Sequence, residues 1–275
     1  MTSVTPRLVA TDLDGTIVRS DGTVSARTVA AFDRVRRAGA LFVFVTGRPP
    51  RLMRDIAEAF GHHGLAICSN GALLYDMSRG EVVGENLIQP EELVEAARLL
   101  RTVIPGIGLA VEYAEGLTAD ELYEVGDWDR DVTIRRVGDS ELFRHPAPKL
   151  IGRHPTLSAD ELLALAAPVL ASIVTPYHAN GERLVEAIAT GVSKASALRE
   201  LADRQGISPV GAIAFGDMPN DLPMLSWAGT SYGVANSHAR VLELVDHVIS
   251  SQDDDGVAEV LERLFPEVDL AGADR

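Results

Sequence analysis

Runs of consecutive apolar residues alternate with segments of helical spacing at both ends of the chain. Leu8 to Thr11 and Leu41 to Val45 (LFVFV) are apolar without polar alternation, the pattern of strands covered on both faces of a parallel sheet. Between them, Ser25 to Ala38 sets Val29, Phe32 and Val35 along one side of a helix that Gly39 stops. This predicts a β-α-β unit. A second crossover, Pro50 to Phe60, ends near Gly61 and leads into a third apolar strand, Leu65 to Cys68. The last third repeats the pattern. A helix from Lys194 to Arg204 precedes a strand at Ala212 to Phe215, and a helix at Leu222 to Trp227 precedes strands at Tyr232 to Val234 and His247 to Ile249. Together these predict an α/β core, a doubly wound parallel (Rossmann-like) sheet.

The middle of the chain reads differently. From Val82 to Glu186, alternating segments (Leu109 to Tyr113, Val132 to Val137, Lys149 to Gly152) are interleaved with helices Pro90 to Val103 and Ser158 to Leu170. We therefore expect a core built from residues 1–81 and 187–275, with an α+β cap domain, 82–186, inserted between them. Ala271 to Arg275 reads as a loose tail.

A length of 275 residues suits two domains, and a hydrophobic fraction of 46% suits packed cores. Charge narrows the partners. With 25 Lys and Arg against 40 Asp and Glu, the net charge of -15 repels a nucleic-acid backbone and an anionic membrane, so neither is an expected partner. An anionic substrate then needs a locally positive site, made by a metal ion and a few chosen cations. Cys68 is the single cysteine, which rules out an intrachain disulfide and a thiolate zinc cluster. Met1 to Arg7 shows no charged leader running into an apolar stretch, and no apolar run approaches bilayer-spanning length. The expected location is cytoplasmic; no oligomeric state follows.

Candidate chemistry gathers where the predicted strands end. Asp12 and Asp14 stand two apart where the first strand runs out, on one side of the chain, and Gly15 permits a sharp turn after them. Like charges so placed call for a cation, and carboxylate with carbonyl oxygen is the ligand set that Mg²⁺ prefers. The plain alternative is an Asp-Gly surface turn, which a buried strand leading into it disfavours. Thr46-Gly47-Arg48 follows the second strand and offers a hydroxyl at the carboxyl edge, where α/β proteins bind ligands; a helix cap is the competing reading. Lys194 opens a helix, from which its ammonium can reach back to an acidic cluster or a phosphoryl group. Gly216-Asp217-Met218-Pro219-Asn220-Asp221 brings two more carboxylates and an amide to another strand end.

In this order the four segments resemble the signature motifs of the haloacid dehalogenase (HAD) superfamily: DLDGT, the Thr of a second strand, a Lys, and GDxxND. The large insertion, with Ser69-Asn70-Gly71-Ala72 and Asp255-Gly256-Val257-Ala258, is similar to the Cof-type subgroup. The resemblance covers about residues 7 to 80 and 187 to 265 and implies a Mg²⁺-dependent phosphatase of small phosphorylated metabolites. It implies Asp12 as the nucleophile that becomes an aspartyl-phosphate, and Asp14 as general acid and base. It implies Mg²⁺ held by Asp12, the Asp14 carbonyl, Asp217 and Asp221, the last directly or through water. Phosphoryl oxygens would meet Thr46, Lys194 and backbone N–H groups near Leu13 and Gly47, with Asn220 as a further donor or a brace for Lys194. Asn70 would face the cap, and Lys149, Arg153, His178 and Arg183 are candidates for contacts to the leaving group. A phosphomutase or phosphotransferase with the same aspartyl-phosphate is the nearest rival. A receiver-like phospho-acceptor module is a more distant one, because it lacks the general acid and the large insertion. The motif residues of a working enzyme are all present, which speaks against an idle binding protein.

Overall fold

The structure, a computed structural model, describes residues 5–126, 132–178 and 183–267. Leu8–Thr11 (β1) is fully buried and sits in the middle of an eight-stranded sheet. Parallel neighbours flank it: Leu41–Val45 (β2) on one side and Ala212–Gly216 (β12) on the other. The parallel series extends through Leu65–Cys68 (β3) at one end and through Thr230–Val234 (β13) and His247–Ile249 (β14) at the other. An antiparallel hairpin, Leu73–Asp76 (β4) and Glu81–Glu85 (β5), completes the β3 edge.

Helices cover both faces, which is why these strands lack polar alternation. Ala26–Arg37 (α1), capped by the Ser25 side chain on the Thr28 N–H, packs on one face with Gly256–Leu264 (α9). Phe32 of α1 meets Phe42 and Phe44 of β2 and Phe60 there, with ring centroids 5.5 to 5.8 Å apart from it. Lys194–Arg204 (α6), Leu222–Trp227 (α7) and Ala239–Leu244 (α8) cover the other face. The second crossover is less regular than its sequence suggests. A 3-10 turn at Pro50–Met53, closed by the Leu52 N–H on the Pro49 carbonyl at 3.0 Å, leads into a short helix, Arg54–Ala59 (α2).

The inserted segment builds a six-stranded sheet of its own. Its order is Val174–His178 (β10), Leu184–Ala189 (β11), Lys149–Arg153 (β9), Gly108–Glu112 (β6), Leu117–Ala119 (β7) and Ile134–Arg136 (β8), antiparallel except for β7 beside β8. Pro90–Val103 (α3) and Ala159–Leu170 (α5) pack on one face of this sheet, and the other face looks toward the carboxyl edge of the first. The chain changes sheet after Glu85 and after Ala189, whereas the sequence reading places these points at 81/82 and 186/187. Nothing in the alternating Glu81 to Glu85 marks which sheet it will join. Among the described residues no helix is long and apolar enough to cross a membrane. The tail residues Ala271 to Arg275 lie outside the described residues.

Candidate active site

Parallel strands place their carboxyl ends on one edge, and the loops leaving β1, β2 and β12 bring the polar motifs together there. Asp12 leaves β1 only 5% exposed, its N–H bonded to the Phe215 carbonyl at 3.0 Å. Three residues on, Gly15 turns the chain at φ +85°; a side chain there would put its Cβ 2.4 Å from Asp217 Oδ2. Glycine is needed at this position both for the backbone angle and for the approach of that carboxylate. Thr16 Oγ1 then donates to Asp217 Oδ1 at 2.8 Å. Asp217 is thus seated against the first loop from two sides.

Asp221 is fully buried and organises the loop after β12. Its Oδ2 accepts from the N–H groups of Asp217 at 3.1 Å and Met218 at 3.0 Å, and its Oδ1 accepts from Lys194 Nζ at 2.7 Å. Lys194 also donates to Asp12 Oδ1 at 2.7 Å. Ser193 caps α6 through its side chain on the Ser196 N–H, which sets Lys194 as the first helical residue and aims it inward.

Carboxylate oxygens of Asp12, Asp217 and Asp221 lie within 4.8 Å of one another, all three residues buried. Three carboxylates thus face one ammonium. Burial pushes the Asp12 carboxyl well above the ordinary range, Lys194 pulls it back, and Asp221 and Asp217 push it further up. Burial and the Asp221 charge bring Asp217 up to about 6. Burial also disfavours the Lys194 ammonium, but Asp12 and Asp221 outweigh this and hold it above an ordinary lysine. Such a set carries an excess of negative charge that one hard divalent cation would neutralise, and its oxygen ligands are of the right chemistry. Because Lys194 and the loop N–H groups already engage both oxygens of Asp221, Asp12 and Asp217 are the better placed ligands.

Asp14 is turned the other way. Its half-exposed carboxylate meets Arg48 in a two-pronged pair, Arg48 Nε donating to Oδ2 at 2.8 Å and Nη2 to Oδ1. The Thr46 hydroxyl accepts from the Arg48 N–H at 3.1 Å, which leaves its own proton for another acceptor. Asn70 takes a left-handed conformation (φ 54°) after β3, and Asn220 Nδ2 donates to its Oδ1 at 3.2 Å. Asn220 therefore braces Asn70, while the partners of Lys194 are Asp12 and Asp221. Leu13 is fully buried in the core, and its carbonyl accepts from the N–H groups of Thr16, Ile17 and Val18. Cys68 is buried, and burial pushes its thiol far up, so it offers no nucleophile.

A cavity of about 500 Å³ separates this edge from the second sheet. Asp12, Asp14, Thr46, Gly47, Asn70, Lys194 and Asn220 line its floor. From the other side come Lys149 and Arg153, two of the four leaving-group candidates. Lys149 is 3% exposed, held 3.0 Å from both Glu112 and Glu186, and it donates to the Gly47 carbonyl at 3.2 Å. Burial disfavours its charge, yet the two glutamates keep it above the ordinary lysine value. Arg51, from the first domain, adds a 2.8 Å pair to Glu112, so the two sheets are clamped together by charge across the cavity wall. The remaining two candidates differ. Arg183 donates to the Pro155 carbonyl at the end of the second sheet and does not line the cavity; the His178 side chain lies outside what the structure describes. Sequence reading missed Arg48, although it adjoins Thr46-Gly47, and it missed Glu112 and Glu186, single acids in alternating strands. Asn236, which donates to the Gly15 carbonyl at 2.8 Å, was equally unmarked.

A parallel sheet whose carboxyl edge gathers buried carboxylates, a bridging lysine and a covering second domain defines a group-transfer enzyme acting on an anionic substrate. The chain belongs to the haloacid dehalogenase-like hydrolases, a family that matches residues 9–261. It is similar to the 5-amino-6-(5-phospho-D-ribitylamino)uracil phosphatase YitU of Bacillus subtilis, with 25% identity over 94% of this chain and 98% of that one. It is 29% identical to the phosphoglycolate phosphatase of Archaeoglobus fulgidus, over 94% of this chain and 97% of the other. A crystal structure from Eubacterium rectale superposes with a TM-score of 0.82 at 26% identity, covering 94% and 99% of the two chains.

Proposed function

We propose that this hydrolase is a Mg²⁺-dependent phosphatase of small phosphorylated metabolites, acting through an aspartyl-phosphate on Asp12, and that the inserted domain, residues 86–189, serves as its cap. The observation that carries the reading is the convergence of Asp12, Asp217 and Asp221 within 4.8 Å, with Lys194 2.7 Å from Asp12 at the floor of the cavity. Phosphatase relatives aligned over nearly the whole chain support it.

Asp12 and Asp217 would hold the ion with the Asp14 carbonyl, and Asp221 supports them by fixing the loop and Lys194. Mg²⁺ supplies neutralising charge between the carboxylates and the phosphoryl oxygens. An Asp12 carboxylate oxygen attacks phosphorus, the bond to the leaving oxygen breaks, and Asp14 gives that oxygen its proton. Water then attacks the phosphorus of the aspartyl-phosphate, its proton passes to Asp14, and the bond to Asp12 breaks, releasing phosphate. Thr46 and Lys194 donate to the phosphoryl oxygens, where preorganised donors in a dry site act most strongly. Arg48 pairs with Asp14 in the free enzyme, and an incoming dianion that competes for this guanidinium would free Asp14 to reach the leaving oxygen. The single buried cysteine fits a reducing, cytoplasmic setting.

The test is turnover of p-nitrophenyl phosphate with Mg²⁺. Asp12→Asn is expected to abolish it while the circular dichroism spectrum stays that of the parent. Hydrolysis by the variant at the parent rate refutes the assignment. A phosphomutase would pass the phosphoryl group from Asp12 to an acceptor sugar and not to water, so release of inorganic phosphate without an acceptor separates the two readings.

A further inference from the structure

A further loop on the carboxyl edge holds the two loops that carry the buried carboxylates. β13 lies parallel to β12, with Gly233 beside Gly216, so its carboxyl end opens next to the loop of Asp217. β1 lies on the far side of β12, one strand further away. The residues after β13 nonetheless touch both. The His238 N–H donates to the Asp217 carbonyl at 2.8 Å, and Asn236 Nδ2 donates to the Gly15 carbonyl, also at 2.8 Å. One short segment, Asn236 to His238, thus ties the β1 loop to the β12 loop from outside the cavity.

The contact to Gly15 fixes a particular peptide group. The Gly15 carbonyl and the Thr16 N–H share one plane. The N–H end donates to the Leu13 carbonyl at 3.2 Å, and Asn236 takes the carbonyl end. Rotation of this plane would disturb Asp217 from two sides. Before it, Gly15 presents its bare Cα to Asp217 Oδ2, where a Cβ would stand 2.4 Å away; after it, Thr16 Oγ1 donates to Oδ1 of the same carboxylate at 2.8 Å. A glycine gives the backbone no side chain to limit such rotation, so hydrogen bonds must do so. Asn236 is itself anchored, because its Oδ1 accepts from the Gln252 N–H at 3.0 Å. A backbone N–H on one side and a backbone carbonyl on the other are a pair that a reversed amide could not satisfy.

We propose that Asn236 is a positioning residue for the metal site: it clamps the Gly15–Thr16 peptide so that the β1 loop and Asp217 already have the spacing a divalent cation needs before the cation binds. This rests on the Mg²⁺ reading above. Without a cation, the buried carboxylates of Asp12, Asp217 and Asp221 repel one another, and Lys194 offsets only part of that charge. Bonds that join the two loops from outside oppose the repulsion. Partners behind metal ligands commonly set affinity by about 10- to 100-fold. Asn236 acts only through the loop, since it is exposed on the outer side and does not line the cavity.

The experiment titrates the metal-free enzyme with Mg²⁺ by isothermal calorimetry and measures KM for p-nitrophenyl phosphate at saturating Mg²⁺. Asn236→Leu, which keeps the volume and loses the amide, and Asn236→Ala are both expected to weaken Mg²⁺ binding by about tenfold while that KM stays at the parent value. Ser20→Ala is the matched control. It removes the 3.1 Å bond from Ser20 Oγ to Asp253 Oδ1 in the same stretch of chain and leaves the Gly15–Thr16 peptide alone, so its Mg²⁺ affinity is expected to equal the parent's. Equal weakening in Ser20→Ala and the Asn236 variants means a general loosening of the loop and overturns the proposal. Parent-like Mg²⁺ affinity in a folded Asn236 variant overturns it as well and leaves the phosphatase reading intact. A parent enzyme that binds no Mg²⁺ and hydrolyses the ester without it overturns the metal reading and the proposal together.

Discussion

Replacing Lys194 by Met isolates the charge balance on which the site depends. Lys194 is 2% exposed and makes two 2.7 Å ion pairs, with Asp12 and Asp221, so the variant keeps most of the volume and loses only the ammonium. Breaking a buried pair by removing one partner costs about 3–5 kcal/mol, because the other charge stays buried without compensation. Here two carboxylates are left. Proton uptake limits the cost, since burial already pushes Asp12 upward, so we expect a loss near the middle of that range at pH 7 without metal. The parent site sets three carboxylates against one ammonium; in the variant nothing offsets them. Mg²⁺ should therefore stabilise the variant more than the parent, and saturation to about 100 times its dissociation constant is worth about 2.7 kcal/mol. Urea denaturation followed by fluorescence, with EDTA or with Mg²⁺, reads both numbers. The expected result is a loss of about 4 kcal/mol in EDTA and a visibly smaller loss in Mg²⁺, with turnover absent in both. A variant as stable as the parent in EDTA, or one that gains no more from Mg²⁺ than the parent does, refutes the reasoning.

Two further outcomes follow from the same residues. The Asp217 carboxyl sits at about 6 in the folded protein against an ordinary 3.8, so the folded state holds this proton more tightly than the unfolded chain. Stability of the metal-free protein should accordingly fall by about 3 kcal/mol from this group as pH rises from about 4 to about 6, and Mg²⁺ should offset the loss above that range. A urea series across this range that shows no decline with EDTA contradicts the assigned burial. Gly15→Ala forces a left-handed angle on a residue with a side chain and drives its Cβ toward Asp217 Oδ2, 2.4 Å away. We expect about 1–2 kcal/mol of lost stability and a fall in kcat of about 10², the scale of a displacement near 1 Å at a reacting centre. Turnover within a factor of about 3 of the parent would show that Asp217 need not sit where it does.

Much of this arrangement could be read from residue order because each motif sits at the end of an unbroken apolar strand. Leu8 to Thr11 and Ala212 to Phe215 are buried on both faces, so their carboxyl ends had to share an edge, and Asp12 and Asp217 had to meet there. Gly15 was legible as a turn, but the closeness of Asp217 Oδ2 depends on register between strands some 200 residues apart in the chain. Alternating strands conceal more. Lys149 showed in sequence as one of several charges, and only the pairing of β9 with β6 and β11 sets it between Glu112 and Glu186. Arg183 had the same standing in sequence; its place at the end of β9's partner sends it to the Pro155 carbonyl instead. Arg48 was hidden by a different cause. Nothing local distinguishes an arginine that turns back to Asp14 from one that caps a helix or faces water, and the choice is made by the β1 loop lying alongside.

The central claim is that Asp12 carries the phosphoryl group during turnover. The most direct measurement uses an Asp14→Asn enzyme, in which removal of the general base slows the second displacement. The enzyme is mixed with substrate and Mg²⁺, quenched in acid, digested, and its peptides are weighed by mass spectrometry. The account predicts one added phosphoryl group on the peptide containing Asp12, released by hydroxylamine as expected for an acyl phosphate. A phosphoryl group on any other residue, or none on Asp12 in an enzyme that still turns over, contradicts it.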